Sequence, residues 1–482
     1  MAFFFTFLRL HEVKVTEKRV FHIAGFIVVA LGCGLFTNQI ILSDFMEEHQ
    51  INIRMFRPME SYQKYGGVLT FARSVGYAVV KKPEGYTTAK VDQIIQEYEK
   101  KSANEQQSTA KQYPNIITVV NETFADIKVL GDFKTNEDYM PYFHSLKKNC
   151  VTGYTYASIV GGQTANTEFE LLTGNTLGFL SAGTTAFQLY IHGQMPSLVS
   201  NLKAEGYSGN KAMHPFNPYN YNRPAVYKDF GFTDFIDKFD FPKNVKRVRE
   251  YISDEANVDR IISEYEKNRK KTDQPFYMYN MTIQNHSPYD KDAANFKQPI
   301  KIESSKYDAE ANRYLNLIKY SDDSLKQLTG YFEKCKEPTI ILFLGDHQPR
   351  LTDEFMNKIT NGQYQTWSSE QMMKRYQVPF VIWANYDIKE QHIEKTSMNY
   401  IQSILTKTAG VKMTGYQRFL NEVRKEVPTI TSQGYWGKNG KFYQINDKGS
   451  PYYGIIQKYR MIQYNMMFDK KNRRDSFFEV SK

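Results

Sequence analysis

Thr339-Ile340-Ile341-Leu342-Phe343-Leu344-Gly345-Asp346-His347 is the stretch that decides the fold. Residues 339–344 carry no charge and are rich in β-branched and large aliphatic side chains. A strand apolar on both faces must be covered on both faces, as central strands of parallel sheets are. The run then stops at a glycine and presents a carboxylate and an imidazole. Ligands of open α/β sheets gather at the carboxyl ends of the strands. One segment therefore predicts both the fold class and the edge that carries the chemistry.

Three further runs match it. Residues 116–120 end in Asn121-Glu122, and residues 276–283 end in Gln284-Asn285-His286. Residues 378–383 form the third. Helical patterns lie between them at 198–206, 258–268, 309–334 and 397–409. Alternation of this kind predicts an α/β fold, a mostly parallel central sheet flanked by helices. After residue 426 a Gly/Tyr-rich tail predicts a small C-terminal α+β part with a closing helix near 455–467.

The 482 residues hold 62 Lys+Arg and 52 Asp+Glu, a formal charge of +10. A hydrophobic share of 41% excludes a disordered chain. A mean hydropathy of −0.56 excludes a mostly membrane-embedded one. Cys33, Cys150 and Cys335 give neither a disulfide framework nor a zinc spacing, though a Cys150–Cys335 pair stays open. The charge points to an anionic partner: nucleic acid, membrane surface or acidic polymer.

The N-terminus narrows that choice. Residues 20–42 contain no Asp, Glu, Lys or Arg and span roughly 35 Å as a helix, enough to cross a bilayer. Arg9, Lys14, Lys18 and Arg19 precede this stretch, while Asp44, Glu47 and Glu48 follow it, ahead of Arg54 and Arg57. Positive charge stays inside, so everything after residue 43 is expected outside the cell membrane. Nucleic acid is then not the partner. Residues 1–10 look like the end of an earlier membrane helix, which predicts a shortened form of a longer protein. The expected organisation is a membrane segment (1–43), an extracellular linker (44–111), a catalytic domain (112–426) and a C-terminal appendage (427–482). Within the linker, a polar helix at about 90–101 is expected to be a solvated spacer. The basic cluster Lys470, Lys471, Arg473 and Arg474 is expected to be a solvated terminus.

Glu122, His286 and the pair Asp346-His347 each follow a predicted strand. Singly, each is ordinary: a carboxylate after a strand is usually a cap, and a lone His is usually structural. Together they mark one edge. Glu122, Asp346 and His347 supply two carboxylates and an imidazole, which suits Mn²⁺ or Mg²⁺ and admits Zn²⁺. A fourth candidate is Thr164, preceded by Gly161-Gly162-Gln163 and opening an apparent helix through Leu172. A helix N-terminus favours a phosphate. Coordination to a metal would make the hydroxyl a competent nucleophile.

These motifs resemble the lipoteichoic acid synthases, glycerol-phosphate transferases of Gram-positive bacteria in the sulfatase/alkaline phosphatase superfamily. The likeness rests on Pro114-Asn115-Ile116-Ile117 leading to Asn121-Glu122-Thr123-Phe124, and on residues 161–169. Asn285-His286-Ser287-Pro288-Tyr289 and Gly345-Asp346-His347 complete it. It runs over about residues 112–425. It implies that Glu122, Thr164, Asp346 and His347 hold one Mn²⁺ or Mg²⁺, with Thr164 as nucleophile. It also implies that His286 contacts the phosphoglycerol group, and that His214 and Arg223 bind the headgroup. Two departures stand out. The family's Trp-Asn-Arg is Tyr221-Asn222-Arg223 here, and several membrane helices are reduced to one and a stub. The sulfatase Cys-x-Pro-x-Arg motif is absent, which argues against sulfate-ester hydrolysis.

The function implied is a membrane-anchored transferase acting outside the cell. It would move glycerol phosphate from phosphatidylglycerol to a growing lipoteichoic acid chain through a covalent threonine intermediate. His286 would serve as general acid or base. One alternative is transfer of glycerol phosphate or phosphoethanolamine to a cell-surface polysaccharide or lipid. Another is a non-catalytic module that binds wall polymer.

Overall fold

The computed structural model describes residues 17–42, 45, 53, 58–77, 79–102, 112–303 and 309–480. The stub at 1–10, the flanking charges outside the helix and the polar stretch 106–111 lie outside the described residues. The chain divides into two compact units, Met1–Lys81 and Lys82–Lys482. In the first, the helix Glu17–Phe36 continues as wider π-helical turns over Thr37–Leu42. Its Val20–Ile40 portion has a mean hydropathy of 2.1 and is long and apolar enough to cross a membrane.

The second unit is built on a mixed sheet. Its strands are β1 (Asn115–Asn121), β2 (Cys150–Tyr156), β3 (Ser208–Met213), β4 (Asp234–Ile236), β7 (Phe276–Met281), β8 (Thr339–Gly345), β9 (Gln377–Ala384) and β10 (Gln391–Ser397), with the short hairpin β5 (Arg247–Val248) and β6 (Tyr251–Ile252) outside it. The order is β10-β2-β9-β8-β1-β7-β3-β4. Every residue of β1, β7 and β8 is buried, as their apolar runs require. The helices Asp254–Arg269 and Ala309–Phe332 supply much of one core, where Ile261, Tyr314, Leu317 and Leu325 pack with Ile117, Met278 and Ile341.

Three expectations need correction. The run at 378–383 is a central strand, but β9 pairs antiparallel with both β8 and β2. Burial on both faces reports that a strand is central and says nothing of its direction. All the other sheet strands share one direction. The polar helix, Thr88–Ser102, is no solvated spacer. Val91, Ile94 and Tyr98 are buried, Glu97 pairs with Lys458 at 2.7 Å, and Arg474 grips both oxygens of Asp92. The C-terminal basic cluster is therefore structural: Lys470 donates to the His192 carbonyl and Arg473 to that of Gln194.

The tail forms a three-stranded antiparallel sheet of β11 (Thr429–Thr431), β12 (Gly434–Trp436) and β13 (Phe442–Tyr443), followed by the helix Tyr453–Phe468. Cys150 and Cys335 are separate free thiols, and burial pushes Cys150 up to about 12.

Candidate active site

Because β1, β2, β3, β7 and β8 run one way, their carboxyl ends meet at one edge. Glu122 follows β1, His214 follows β3, and Asp346-His347 follow β8 directly. Longer loops lead from β2 to Thr164 and from β7 to His286.

Glu122, Asp346 and His347 place one ligand atom each within 4.8 Å of one another, all buried. Their orientation is fixed from behind. Asp346 Oδ1 accepts from the backbone N–H of Thr123 at 2.6 Å and of His347 at 2.8 Å. His347 Nδ1 donates to the Gln348 carbonyl at 3.0 Å, so Nε2 is the ring nitrogen turned toward the carboxylates. That Nε2 lies 3.2 Å from Asp346 Oδ2 and 3.8 Å from Glu122 Oε1. Asp346 Oδ2 and His347 Nε2 are buried with no hydrogen-bond partner among the described residues. Acceptor atoms facing each other in a dry site repel unless a proton or a cation lies between them. The strain shows in Glu122, pushed up to about 8 by burial and then by Asp346. These donors fit one divalent cation, and their mixture of oxygen and imidazole suits Mn²⁺, Mg²⁺ or Zn²⁺.

The backbone that carries the triad tolerates little change. A Cβ on Gly345 would lie 1.8 Å from the Phe124 carbonyl oxygen, so β8 can approach the β1 loop only through glycine. Thr123 sits at φ 55°, costly for a β-branched residue. The Tyr314 hydroxyl holds that turn by reaching the Thr123 and Ala125 carbonyls.

Thr164 opens the helix Thr164–Thr173 and is buried. Gly161, Gly162 and Gln163 before it all have positive φ, a tight turn that glycine allows at two positions and Gln163 must endure at the third. The first helical turn is tied to the metal edge, because the Thr167 hydroxyl donates to the Asp346 carbonyl at 2.8 Å. The Thr164 hydroxyl makes no hydrogen bond among the described residues.

One turn further, Glu168 receives Arg223. Nε and Nη2 of Arg223 donate to Glu168 Oε1 at 3.1 and 2.6 Å, and Tyr227 and Tyr279 donate to Oε2. Glu168 keeps Arg223 protonated well above its ordinary range. The Nε–Nη2 edge with which an arginine grips a phosphate is therefore taken by Glu168, although Arg223 was expected to bind the headgroup. Its other nitrogen, Nη1, reaches only the Asn220 carbonyl at 3.5 Å. Tyr221 covers the guanidinium, 5.1 Å from ring centre to Cζ.

His214 and His286 are set like His347. His214 Nδ1 donates to the Met281 carbonyl at 3.0 Å and His286 Nδ1 to that of Ser287 at 2.7 Å. Each is left with an Nε2 lone pair. Burial lowers both below the usual histidine range, and Arg223 lowers His214 further. The His286 loop is clasped by Arg249, whose guanidinium donates to the Gln284, His286 and Pro288 carbonyls. Below it, Asp254 joins Asn121, Ser321 and Gln284, while Asn285 bonds Asn121 and Ser321.

Glu168, Arg249 and Asp254 were not singled out from the sequence. Glu168 is the exception that had a signal. A glutamate four residues after Thr164 on a buried helix must have a partner.

Comparison with known proteins agrees with the fold. A Rhizobium meliloti (strain 1021) protein named for cyclic beta-1,2-glucan modification is 30% identical over 433 residues, 88% of this chain. The chain spans 65% of that relative's length. The Streptococcus pyogenes phosphoglycerol transferase GacH, solved with sn-glycerol-1-phosphate, superposes with a TM-score of 0.67 at 20% identity, covering 83% of this chain and all of that one. The Listeria monocytogenes lipoteichoic acid synthase LtaP gives a TM-score of 0.57 at 20% identity over 80% of this chain and 98% of its own. These two share the fold. The sulfatase family model matches residues 114–411, the span that contains every strand of the main sheet and all the residues gathered at its carboxyl edge, and the chain belongs to that family.

Proposed function

We propose that this chain is a membrane-anchored, metal-dependent phosphoglycerol transferase that works outside the cell. Its donor is phosphatidylglycerol, and its acceptor is a hydroxyl of a cell-surface glycan. The observation that carries the reading is the facing pair Asp346 Oδ2 and His347 Nε2, buried and without a hydrogen-bond partner among the described residues, beside Glu122 and the Thr164 helix. The glucan relative favours a glycan acceptor; the likeness to lipoteichoic acid synthases favours a growing glycerol-phosphate chain as the second reading.

Glu122, Asp346 and His347, with Thr164, would hold a Mn²⁺ or Mg²⁺, which supplies Lewis acidity that lowers the pKa of the Thr164 hydroxyl. Thr164 Oγ forms a bond to the donor phosphorus, and the bond from phosphorus to the diacylglycerol oxygen breaks. The proton lost by Thr164 ends on that oxygen. His286, with Nε2 bare, is the group suited to carry it. In the second half the acceptor hydroxyl gives its proton to the same nitrogen and attacks phosphorus, the bond from phosphorus to Thr164 Oγ breaks, and that proton passes from His286 to Thr164 Oγ. The helix N-terminus, together with Arg223 Nη1, the nitrogen outside the Glu168 pair, offsets the negative charge on the phosphoryl oxygens. The apolar helix keeps the enzyme at its lipid substrate.

The test is incubation of the full chain in detergent with fluorescent phosphatidylglycerol and Mn²⁺. Diacylglycerol release and a glycerol-phosphate adduct on the Thr164 peptide are expected. A Thr164→Ala protein that releases diacylglycerol at the wild-type rate would overturn the assignment.

A further inference from the structure

Two neighbouring loops leave an aromatic lip next to His286. The loop after β3 carries Phe216, whose ring lies nearly parallel to the His286 ring, 6.2 Å away with 23° between planes. The loop after β4 carries the turn Asp237-Lys238-Phe239-Asp240. The two loops are hydrogen bonded, Lys238 N–H to the Phe216 carbonyl at 3.4 Å. The Lys238 ammonium lies 5.9 Å from the Phe216 ring centre and 4.9 Å from that of Phe239.

The lip is built, not frayed. Asp237 accepts from the Phe239 N–H at 2.7 Å, and the Asp237 N–H donates to Asp240 at 2.9 Å. This reciprocal pair holds the turn, yet Phe239 is 73% exposed. At that exposure the ring contributes little burial to the fold and leaves a face open beside the Asp237 and Asp240 carboxylates.

We propose that this turn is an acceptor subsite that stacks a neutral pyranose ring on Phe239 and feeds the chain past Phe216 to His286. The inference rests on the transferase reading above and names its acceptor class. A pyranose presents a flat C–H face to an aromatic ring and hydroxyls at its rim. Asp237 and Asp240 keep lone pairs free to accept from those hydroxyls, and the Lys238 ammonium can donate to them. An anionic bilayer surface is the other partner an exposed phenylalanine fits. The two carboxylates that flank Phe239 in its own turn, Asp237 and Asp240, would meet such a surface with like charge, while Arg260 reaches only the Asp240 backbone carbonyl, at 2.8 Å. The continuity from Phe239 through Lys238 and Phe216 to the His286 ring places the bound sugar on the path to the proton-accepting nitrogen.

The experiment uses the full chain in detergent micelles, fluorescent phosphatidylglycerol, Mn²⁺ and a soluble neutral glucose oligosaccharide. Phe239→Ser is expected to raise the oligosaccharide KM about three- to tenfold with kcat kept, and Phe239→Trp to restore it. An unchanged oligosaccharide KM, or no transfer to the oligosaccharide by the wild type while donor is cleaved, overturns the subsite. Donor cleavage in water without oligosaccharide is the second readout. A loss there equal to the loss with sugar would assign the lip to the lipid and overturn the sugar. Absence of any donor cleavage by the wild type would instead defeat the transferase reading itself.

Discussion

Glu168 Oε1 takes both Nε and Nη2 of Arg223, and only 2% of the Arg223 side chain and none of that of Glu168 reaches water. The pair joins the helix begun by Thr164 to the helix Arg223–Phe230. A buried ion pair adds little net stability, but removing one partner strands the other charge, at a cost of about 3–5 kcal/mol. Glu168→Gln is therefore expected to unfold at lower temperature by thermal melting. Its phosphatidylglycerol turnover is expected to fall as well, since Arg223 is no longer aimed. A wild-type melting temperature in this variant would show that the pair does not bind the two helices together.

Metal should act as a ligand of the folded state alone. Filling the space between Glu122, Asp346 and His347 removes the repulsion among their acceptor atoms. At a hundredfold excess over its Kd, a site of this kind stabilises by about 2.7 kcal/mol. The melting temperature of the wild type is expected to rise with Mn²⁺ and to return with EDTA. Asp346→Asn should abolish the rise. A variant that still gains stability from Mn²⁺ would place the binding elsewhere.

The parts of this site that were legible in the sequence are those that break a pattern. Asp346-His347 interrupts an apolar run, and Glu122 closes another, so each announces a strand end. Strands β2, β3 and β10 were not foreseen, because CVTGYTY, SGNKAM and QHIEKTS mix glycine, lysine and other polar residues as strands near the sheet edges do. The supporting residues were hidden for a different reason. Arg249 acts through backbone carbonyls of residues 284, 286 and 288, and Asp254 through side chains from three distant segments. Such roles depend on tertiary placement and leave no local spacing to detect.

Glu170 gives a stability test at a group outside the reaction. It is buried, with Oε1 accepting from Ser158 and the Leu177 N–H, while Oε2 is unpartnered among the described residues. Burial, the leading cause, pushes it up to about 7 from an unfolded value near 4.5. The native state then binds more protons than the unfolded one between those values. Its stabilising contribution is full below pH 4.5 and is lost as pH rises through 7. Glu170→Gln mimics the protonated form and should be more stable than the wild type at pH 8, by about 1–3 kcal/mol. The advantage should shrink steadily as pH falls from 8 to 5 and vanish only below pH 4.5. Parallel melting curves of the two proteins from pH 5 to 8 would contradict this.

His286 should set the acidic limb of the rate profile. Burial lowers it first, and the Arg249 charge lowers it further, while its Nδ1–H bond to Ser287 and the Asp346 charge oppose the shift. It is therefore neutral at pH 7, and protonation on acidification fills the Nε2 lone pair that must accept the acceptor proton. Activity is expected to fall only below pH 6.5, the ordinary histidine value. Arg249→Gln removes the charge and loosens the clasp on the Gln284, His286 and Pro288 carbonyls. Two effects should separate in its kcat/KM profile. The plateau should drop about tenfold through misplacement of the ring, and the acidic limb should move to higher pH through loss of the neighbouring cation. Arg249→Lys keeps the charge but cannot span three carbonyls, so it should lower the plateau and leave the limb in place. A limb that ignores both variants would mean that a group other than His286 accepts the proton.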